Sequence, residues 1–427
     1  MSLRILISFV GVFFLFALLF EKPAQAQFPQ YTLPGGPEQR PESREDRLRR
    51  EMAQARYHLG PVRIAPVAGF KNFAYVRNLF ASEGEAASDV TLTVGAGFRA
   101  YLRTGPKMVW IADALPEYVW WRKRTGSRRL DSNFAVEGLG FFNRLTLDVA
   151  ARRTEAQQIV TPEVPQPVNA GSDQAQVDAE LRLFGTLFPF ATARWGRMNN
   201  LLDDLRDPRL QSLSLLDRRE KTERAGVRWR PSADLTVGIG AERSQVDFDR
   251  EAVDSSNSGT APTLDVLYSR RRFFFQTELA ERSLSAREGS RFVDFDGVTG
   301  SAAVSVRMGN RVEAWTYASR NLVYSLSSDY PYLDDRRLGV SVTMEITHDA
   351  GLRLFAETGS NDYVLFNPAA PRRRDDVKSF GGSLQVALPG AINLLVQAVR
   401  TRFDSNLPGA GRTYTSGGLS LTLGGNL

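Results

Sequence analysis

The chain has 427 residues, a net charge of +6 and no cysteine. The missing cysteine excludes disulfides, thiolate metal sites and cysteine nucleophiles. A basic charge would suit nucleic-acid binding, but the 54 Lys and Arg are interspersed with 48 Asp and Glu, and no nucleic-acid-binding motif accompanies them. We therefore expect no nucleic-acid partner.

The first 26 residues have the pattern of a secretory signal peptide. Arg4 precedes an apolar run over residues 5–20, and Ala24-Gln25-Ala26 follows. This order of charge, apolar run and small residues predicts cleavage after Ala26. The alternative is a retained anchor helix, because the run approaches the lower length limit for crossing a bilayer. No other segment comes near that length, so a mature chain that spans a membrane must do so with strands.

Residues 27–60 form a leader segment. Residues 27–42 are rich in Pro, Gly and Gln and predict a disordered tether. Residues 43–57 are strongly charged, have helical propensity and begin with Ser43 as a candidate N-cap. Leu48, Met52 and Ala55 form a thin apolar stripe on this predicted helix. We expect a solvated periplasmic leader, with a plug or a partner-docking helix as the alternative.

From residue 61 to 427 the chain repeats a unit of two alternating stretches joined by a short turn. In one unit Leu338, Val340 and Val342 alternate with Ser341 and Thr343, and a turn follows at 348–351. This alternation predicts a hairpin with one apolar and one polar face. Short connections on one side and long polar ones on the other predict an all-β fold, an antiparallel up-and-down transmembrane β-barrel.

We count about eighteen candidate strands. Sixteen is the alternative, because the first strand has an unclear end at 72–75 and Trp315 and Tyr317 fit either face of the thirteenth. The short turns are predicted near 103–106, 140–143, 184–189, 231–234, 269–272, 308–311, 348–351 and 388–391. Longer polar segments include 156–173, 199–219, 248–261 and 325–335. An even strand count with both termini on the periplasmic, short-turn side is typical of single-chain bacterial barrels.

Alternation assigns the two faces of several strands. In residues 224–230, Ala225, Val227 and Trp229 are predicted to face lipid, and the arginines between them the lumen. A soluble β-sandwich also alternates, so the signal peptide, the asymmetric connections and the aromatic positions are needed as further support. Trp110 and Trp120 share a face and span about 25 Å along the membrane normal. The predicted lipid-interface aromatics are therefore Trp110, Trp120 and Trp229.

The predicted lumen carries balanced numbers of basic and acidic side chains, so charge alone does not decide its ion selectivity. The pore-lining candidates are Arg182, Arg194, Arg224, Arg228, Arg230, Arg337, Asp113, Glu117, Asp178, Glu180 and Glu345. Among them, the three arginines of residues 224–230, together with Arg194 on the preceding strand, form the expected anion- or sugar-contacting patch.

Catalysis is not expected. The two histidines are His58, before the predicted barrel, and His348, in a predicted short turn. Carboxylate pairs such as Asp178 with Glu180 share a strand face and would permit acid–base chemistry, but charge lining a lumen explains them better. We expect no catalytic residue, no metal site and no cofactor.

The first predicted strand carries a family resemblance. It runs from Val62 through Pro66 to Phe70, and Asn72, Tyr75 and Asn78 follow. Over most of residues 60–427 the chain resembles the porin-like β-barrels of Gram-negative outer membranes, especially β-barrel porins of the exopolysaccharide-associated type. The resemblance implies the outer membrane, contact with the bilayer and lipopolysaccharide, and insertion by the barrel assembly machinery. The chain departs from these porins at its last residue, where Leu427 replaces the aromatic residue that the assembly machinery recognises.

Two functions remain open. The leading hypothesis is a porin-like passive channel for small hydrophilic solutes, because barrels of sixteen to eighteen strands enclose an aqueous lumen unless loops plug it. The alternative is a component of polysaccharide export or surface assembly, including adhesion, whose lumen is closed or gated.

Overall fold

The computed structural model describes residues 35, 48, 51–53, 55, 57–76, 89–164, 168–202, 211–251, 254–389 and 392–423. The predicted signal peptide and most of the predicted helix 43–57 lie outside these residues. Leu48 and residues 51–53 are helical. No helix within the described ranges is long and apolar enough to cross a bilayer.

Nineteen strands, numbered in chain order, make up almost all of the described chain. They are β1 Tyr57–Leu59, β2 Val62–Val76, β3 Asp89–Thr104, β4 Met108–Trp121, β5 Arg129–Phe141, β6 Leu145–Gln158, β7 Val168–Leu181, β8 Leu187–Asn199, β9 Arg218–Ser232, β10 Leu235–Phe248, β11 Asn257–Arg270, β12 Phe273–Ala286, β13 Phe295–Met308, β14 Val312–Tyr324, β15 Tyr332–Thr347, β16 Ala350–Tyr363, β17 Arg374–Leu388, β18 Ile392–Ser405 and β19 Arg412–Leu423. Two short 3-10 helices, Thr125–Ser127 and Ser212–Leu216, lie in the connections.

Strands β2 to β19 form one closed antiparallel ring. Each strand pairs with the next along the chain, and β19 pairs back onto β2, with Leu421 opposite Phe70 and Leu423 opposite Ala68. The extra strand β1 pairs only with the start of β2, where Leu59 lies opposite Val62. The predicted eighteen-stranded up-and-down barrel is confirmed, and the sixteen-stranded alternative is wrong.

The connections alternate in length as the sequence predicts. Each of the eight predicted short turns falls at or beside a tight connection at one end of the barrel, and Gly105 and Gly309 adopt positive φ angles of 72° and 65° in two of them. The predicted long loops, however, are too long. The segment 156–173 contains the end of β6 and the start of β7, so the true connection is 159–167. The strands continue to pair beyond the lipid band. Apolar and polar residues no longer alternate there, so the sequence pattern does not indicate these strand ends.

The barrel has an apolar outer face and a polar inner face. Outward side chains such as Ile239, Val340 and Leu354 are 63%, 52% and 54% exposed. The strand register carries this alternation around the ring and turns Trp315 and Tyr317, whose direction the sequence left open, toward the interior, where both are buried. The outer surface is therefore a continuous apolar band of the kind that lipid covers.

Val396 and Gln397 of β18 test this assignment because they are neighbours on opposite faces. Val396 points outward between Leu384 and Leu419, while Gln397 points into the barrel. We expect Val396→Arg to lower the unfolding free energy in lipid vesicles by about 2–4 kcal/mol, the cost of a basic side chain near the bilayer midplane. Gln397→Arg should change it far less. Denaturant titration of both variants measures the difference, and equal losses would contradict the assignment.

Candidate functional site

The inner wall between β7 and β12 carries a cluster of arginines held by carboxylates, which we call the arginine cluster. Its cations are Arg224, Arg228 and Arg230, three residues on the inward face of β9. Its anions are Glu180 on β7, Asp265 on β11 and Glu278 on β12. Cross-strand register brings them together. Asp265 lies opposite Glu278 of β12 on one side and opposite Gly238 of β10 on the other, and the next strand beyond β10 is β9, which carries the arginines.

Each arginine of the cluster is anchored by a short ion pair. Nη2 of Arg224 lies 2.6 Å from Asp265, and its Nη1 lies 2.8 Å from Glu278. Arg228 and Arg230 share Glu180, at 2.9 Å and 2.7 Å. The Arg224 side chain is only 10% exposed, whereas Arg228 and Arg230 are 29% and 34% exposed. The latter two therefore present guanidinium donors to the lumen while sharing the carboxylate of Glu180, and Arg228 also lies 3.7 Å from Asp265.

Two phenylalanines of β8 support the guanidinium groups. Phe190 lies 4.1 Å from the Arg228 guanidinium and 5.4 Å from that of Arg224, and Phe188 lies 4.2 Å from that of Arg230. Gly226 makes room for this stacking, because a Cβ atom there would lie 2.9 Å from Cε1 of Phe190. Cation–π contact fixes the planar groups without neutralising them. The phenylalanines were not among the predicted site residues, although their inward positions follow from the alternation of β8.

The other predicted pore-lining residues do not all join the cluster. Arg194 is the nearest, on β8, and its Nε has no hydrogen-bond partner among the described residues. Arg182 contacts Phe188 at 6.0 Å, and Asp178 accepts a hydrogen bond from Gln176. Glu345 is exposed at the short-turn end of β15.

Three predicted residues lie in separate networks. Arg337 is buried and pairs with Asp335, and Glu117 is buried and accepts a hydrogen bond from Asn133 at 2.9 Å. Asp113 pairs with Arg99 at 2.5 Å. These charges are structural parts of the wall, because their hydrogen bonds are made within the protein.

The described residues of the leader lie inside the barrel near the short-turn end, and we call them the leader plug: residues 35, 48, 51–53 and 55. Leu48 and Ala55 are buried in an apolar cluster with Tyr101, Val109 and Leu139 of the inner wall. This arrangement differs from the solvated leader that the sequence favoured.

Polar contacts hold the leader plug in place. Glu51 lies 3.3 Å from Nη1 of Arg99 and accepts a hydrogen bond from the Tyr101 hydroxyl at 3.1 Å. Nη1 of Arg63 donates to the carbonyl of Met52 at 2.9 Å. Across the lumen, the Gly35 amide donates to Glu357 at 3.2 Å. The leader thus contacts β2, β3 and β16, on both sides of the strand closure.

A loop between β6 and β7 narrows the opposite end, and we call its described residues 159–164 the inward loop. Ile159 packs against Val377 and Phe403 of β17 and β18. The carbonyl of Pro162 accepts a hydrogen bond from Nε of Arg412 on β19 at 2.7 Å. Since β6 lies five strands from β19 around the ring, the loop crosses the lumen rather than extending outward.

Glu163 anchors the inward loop to the far wall. It accepts hydrogen bonds from the Leu326 amide at 2.7 Å and the Ser325 hydroxyl at 2.9 Å, and it lies 3.8 Å from Arg373. Burial lowers the pKa of the Arg373 guanidinium, but Tyr363 and Asp375 raise it by more, so its pKa lies above the ordinary value. Arg373 also pairs with Asp375 at 3.0 Å, so its guanidinium links the inward loop to β17.

The described histidines lie away from these features. His348 is in the β15–β16 turn with its side chain 95% exposed and its Nδ1 2.7 Å from Asp349, and His58 is exposed in β1. Among the described residues, no three His, Asp or Glu side chains are grouped as a metal site.

Comparison with known proteins finds similarity in structure only. No protein-family model and no curated protein matches the chain. OccAB3 of Acinetobacter baumannii has a TM-score of 0.52 at 11% identity, covering 84% of this chain and 98% of its own. OccK2 of Pseudomonas aeruginosa, solved in complex with glucuronate, has a TM-score of 0.52 at 11% identity, covering 84% and 97%. The fold is that of a porin barrel.

A BenF-like porin from Pseudomonas fluorescens gives the same result, with a TM-score of 0.52 at 10% identity over 84% of this chain and 97% of its own. The agreement extends over nearly the full length of each of these porins. It therefore concerns the whole barrel rather than a shared hairpin motif.

The leader plug can be tested by unpacking one side chain. Leu48 is 5% exposed, so Leu48→Asp should detach the leader and speed its cleavage by about tenfold or more, since burying a charge in an apolar contact is costly. Limited trypsin digestion of the detergent-solubilised barrel measures this rate. Leu59→Asp is the control because Leu59 is 68% exposed. Equal digestion of both variants would show that the leader is not packed.

Proposed function

We propose that this chain is an outer membrane channel for small hydrophilic solutes. The observation that carries the proposal is a closed ring of eighteen strands with an apolar outer face and a charged inner face. A barrel of this size encloses a lumen wider than its side chains fill. The porin fold of OccAB3 and OccK2 supports the same function.

The proposal includes an orientation. We expect the signal peptide to be cleaved after Ala26 and both termini to lie in the periplasm, leaving residues 27–60 as a leader before the barrel of residues 61–427. Strand β1 and the end of β19 lie at the short-turn end, which supports this orientation. The bilayer, lipopolysaccharide and the barrel assembly machinery are then the expected partners.

Within the channel, we propose that the arginine cluster contacts anionic solutes. Arg228 and Arg230 are partly exposed and already bind a carboxylate, that of Glu180, with hydrogen-bonding geometry that a solute carboxylate could share. OccK2, which has this fold, was solved with glucuronate, a sugar acid. Arg194, on the neighbouring strand, would extend the same basic surface.

Selectivity measurements test the arginine cluster. Replacing Arg228 and Arg230 with Gln should lower the anion-to-cation permeability ratio by up to about tenfold for each charge, since a unit charge about 6 Å from a permeating ion contributes about 0.7 kcal/mol in water, favourable for an anion and unfavourable for a cation. The reversal potential in a salt gradient measures this ratio. Arg219→Gln is the matched control, because Arg219 lies on the outward face of the same strand. An unchanged ratio in the double variant would contradict a role in conduction.

The second candidate is a gated barrel for polysaccharide export or surface assembly. The leader plug favours it, because Leu48 and Glu51 contact the inner wall and the inward loop narrows the other end. In this case the leader would leave the lumen when a periplasmic partner binds it.

Planar-bilayer recording separates the two candidates. The open-channel proposal predicts stable ohmic steps from the chain that retains its leader, with larger steps after deletion of residues 27–56. The gated barrel predicts silence until the leader is deleted. Glu163→Ala should also enlarge the steps by releasing the inward loop. Silence of both the intact and the deleted chain would contradict a passive channel.

A further inference from the structure

A patch of cations interrupts the outer surface of β15 to β18 at the long-loop end. Its members are Arg336, Arg374, Lys378, Arg400 and Arg402, all at outward positions, and we call it the rim patch. They border the apolar band, whose nearest members Leu338, Val340 and Phe380 are 42%, 52% and 57% exposed, and Arg400 lies directly opposite Phe380. The patch therefore lies where lipid chains give way to headgroups.

The rim patch is only partly neutralised by the protein. Arg336 pairs with Asp334 at 2.8 Å, Arg374 with Asp376 at 3.2 Å, and Arg402 with Asp404 at 2.6 Å. Lys378 and Arg400 have no carboxylate within ion-pairing distance among the described residues, and both are exposed. These two residues face lipid rather than the lumen, so their charges do not contribute to the lining of the channel.

Register makes the unpaired charges adjacent. Lys378 lies directly opposite Arg402 across β17 and β18, and Arg400 lies opposite Phe380, one outward position nearer the membrane centre. Like charges directly opposite each other destabilise a sheet. Asp404 offsets part of this cost at Arg402, and an anion bound beside Lys378 would offset the remainder.

A groove of 470 Å³ continues the patch toward β15. Arg336, Arg374 and Lys378 line it together with the hydroxyls of Thr358 and Ser360, and the carboxylate of Asp376, which pairs with Arg374, lies beside them. Guanidinium, ammonium and hydroxyl donors converging on one groove are the groups that bind phosphate oxygens.

We propose that the rim patch binds the headgroup of a glycolipid that carries two phosphates. One phosphate would lie between Lys378, Arg400 and Arg402, and the other in the groove beside Arg336 and Arg374. Three strand spacings of about 4.8 Å separate β15 from β18, about 14 Å in all, so one phosphate cannot reach both ends. The acyl chains would lie on Val340 and Phe380. This inference assumes the membrane orientation of the proposed function.

Lipid binding by the refolded full chain tests the proposal, with native mass spectrometry as the readout. The probes are bis-phosphorylated lipid A, its monophosphorylated form and phosphatidylglycerol. We expect the bis-phosphorylated form to bind most tightly, and the variant with Lys378→Gln and Arg400→Gln to bind it at least about tenfold more weakly, because the loss of even one charge-assisted hydrogen bond has that effect. A heat-modifiable gel shift verifies that the double variant is folded. If the double variant does not fold, the Lys378→Gln and Arg400→Gln single variants are measured in its place.

The matched control carries Arg219→Gln and Lys221→Gln, outward residues at the long-loop end of β9 that pair with Asp249 and Glu223. It should bind lipid A like the unmodified chain. The proposal is overturned if the Lys378 and Arg400 variant retains full affinity, or if phosphatidylglycerol binds as tightly as bis-phosphorylated lipid A. Channel conductance is expected to be unaffected by either variant, so failure here is distinct from failure of the channel proposal.

Discussion

Hydrogen-bond closure of the strand ring is the constraint on which the rest of the structure depends. A backbone amide or carbonyl left unpaired in hydrocarbon costs several kcal/mol, so an open sheet edge does not persist in a membrane. Pairing of β19 with β2 removes the last two edges, and a register shift between Leu419 and Leu421 accommodates the join. Closure then forces successive residues of every strand to alternate between lipid and lumen.

This alternation explains why the composition resembles that of a soluble protein. The mean hydropathy is −0.27, because apolar outward residues are offset by charged inward ones. Ion pairing stabilises the inward charges in turn. Arg224 satisfies Asp265 and Glu278, and Glu180 satisfies two arginines. Removing one member of such a partly buried group would leave its partner without a counter-charge. The resulting loss of stability is larger than the net stabilisation that the ion pair provides.

The lumen is shaped by segments that are not part of the wall. At one end the leader plug covers the apolar residues Tyr101, Val109 and Leu139, and at the other the inward loop is bound by Arg412 and Arg373. The plug was only the alternative to a solvated leader in the sequence analysis, and the inward loop was not predicted. The hydrogen bond from Arg412 to Pro162 joins residues 250 positions apart, and local sequence patterns contain no information about such a partner.

The sequence by itself determined the strand count, the eight short turns and the face of each clean strand, because a period of two is a local property that backbone geometry enforces. It also indicated that Arg224, Arg228, Arg230 and Glu180 point into the lumen. Only the tertiary structure decided that these four form one cluster, that Arg337 and Glu117 are buried elsewhere, and that Trp315 faces inward. The register between strands and the folding of loops into the lumen set these outcomes, and both depend on contacts between distant segments.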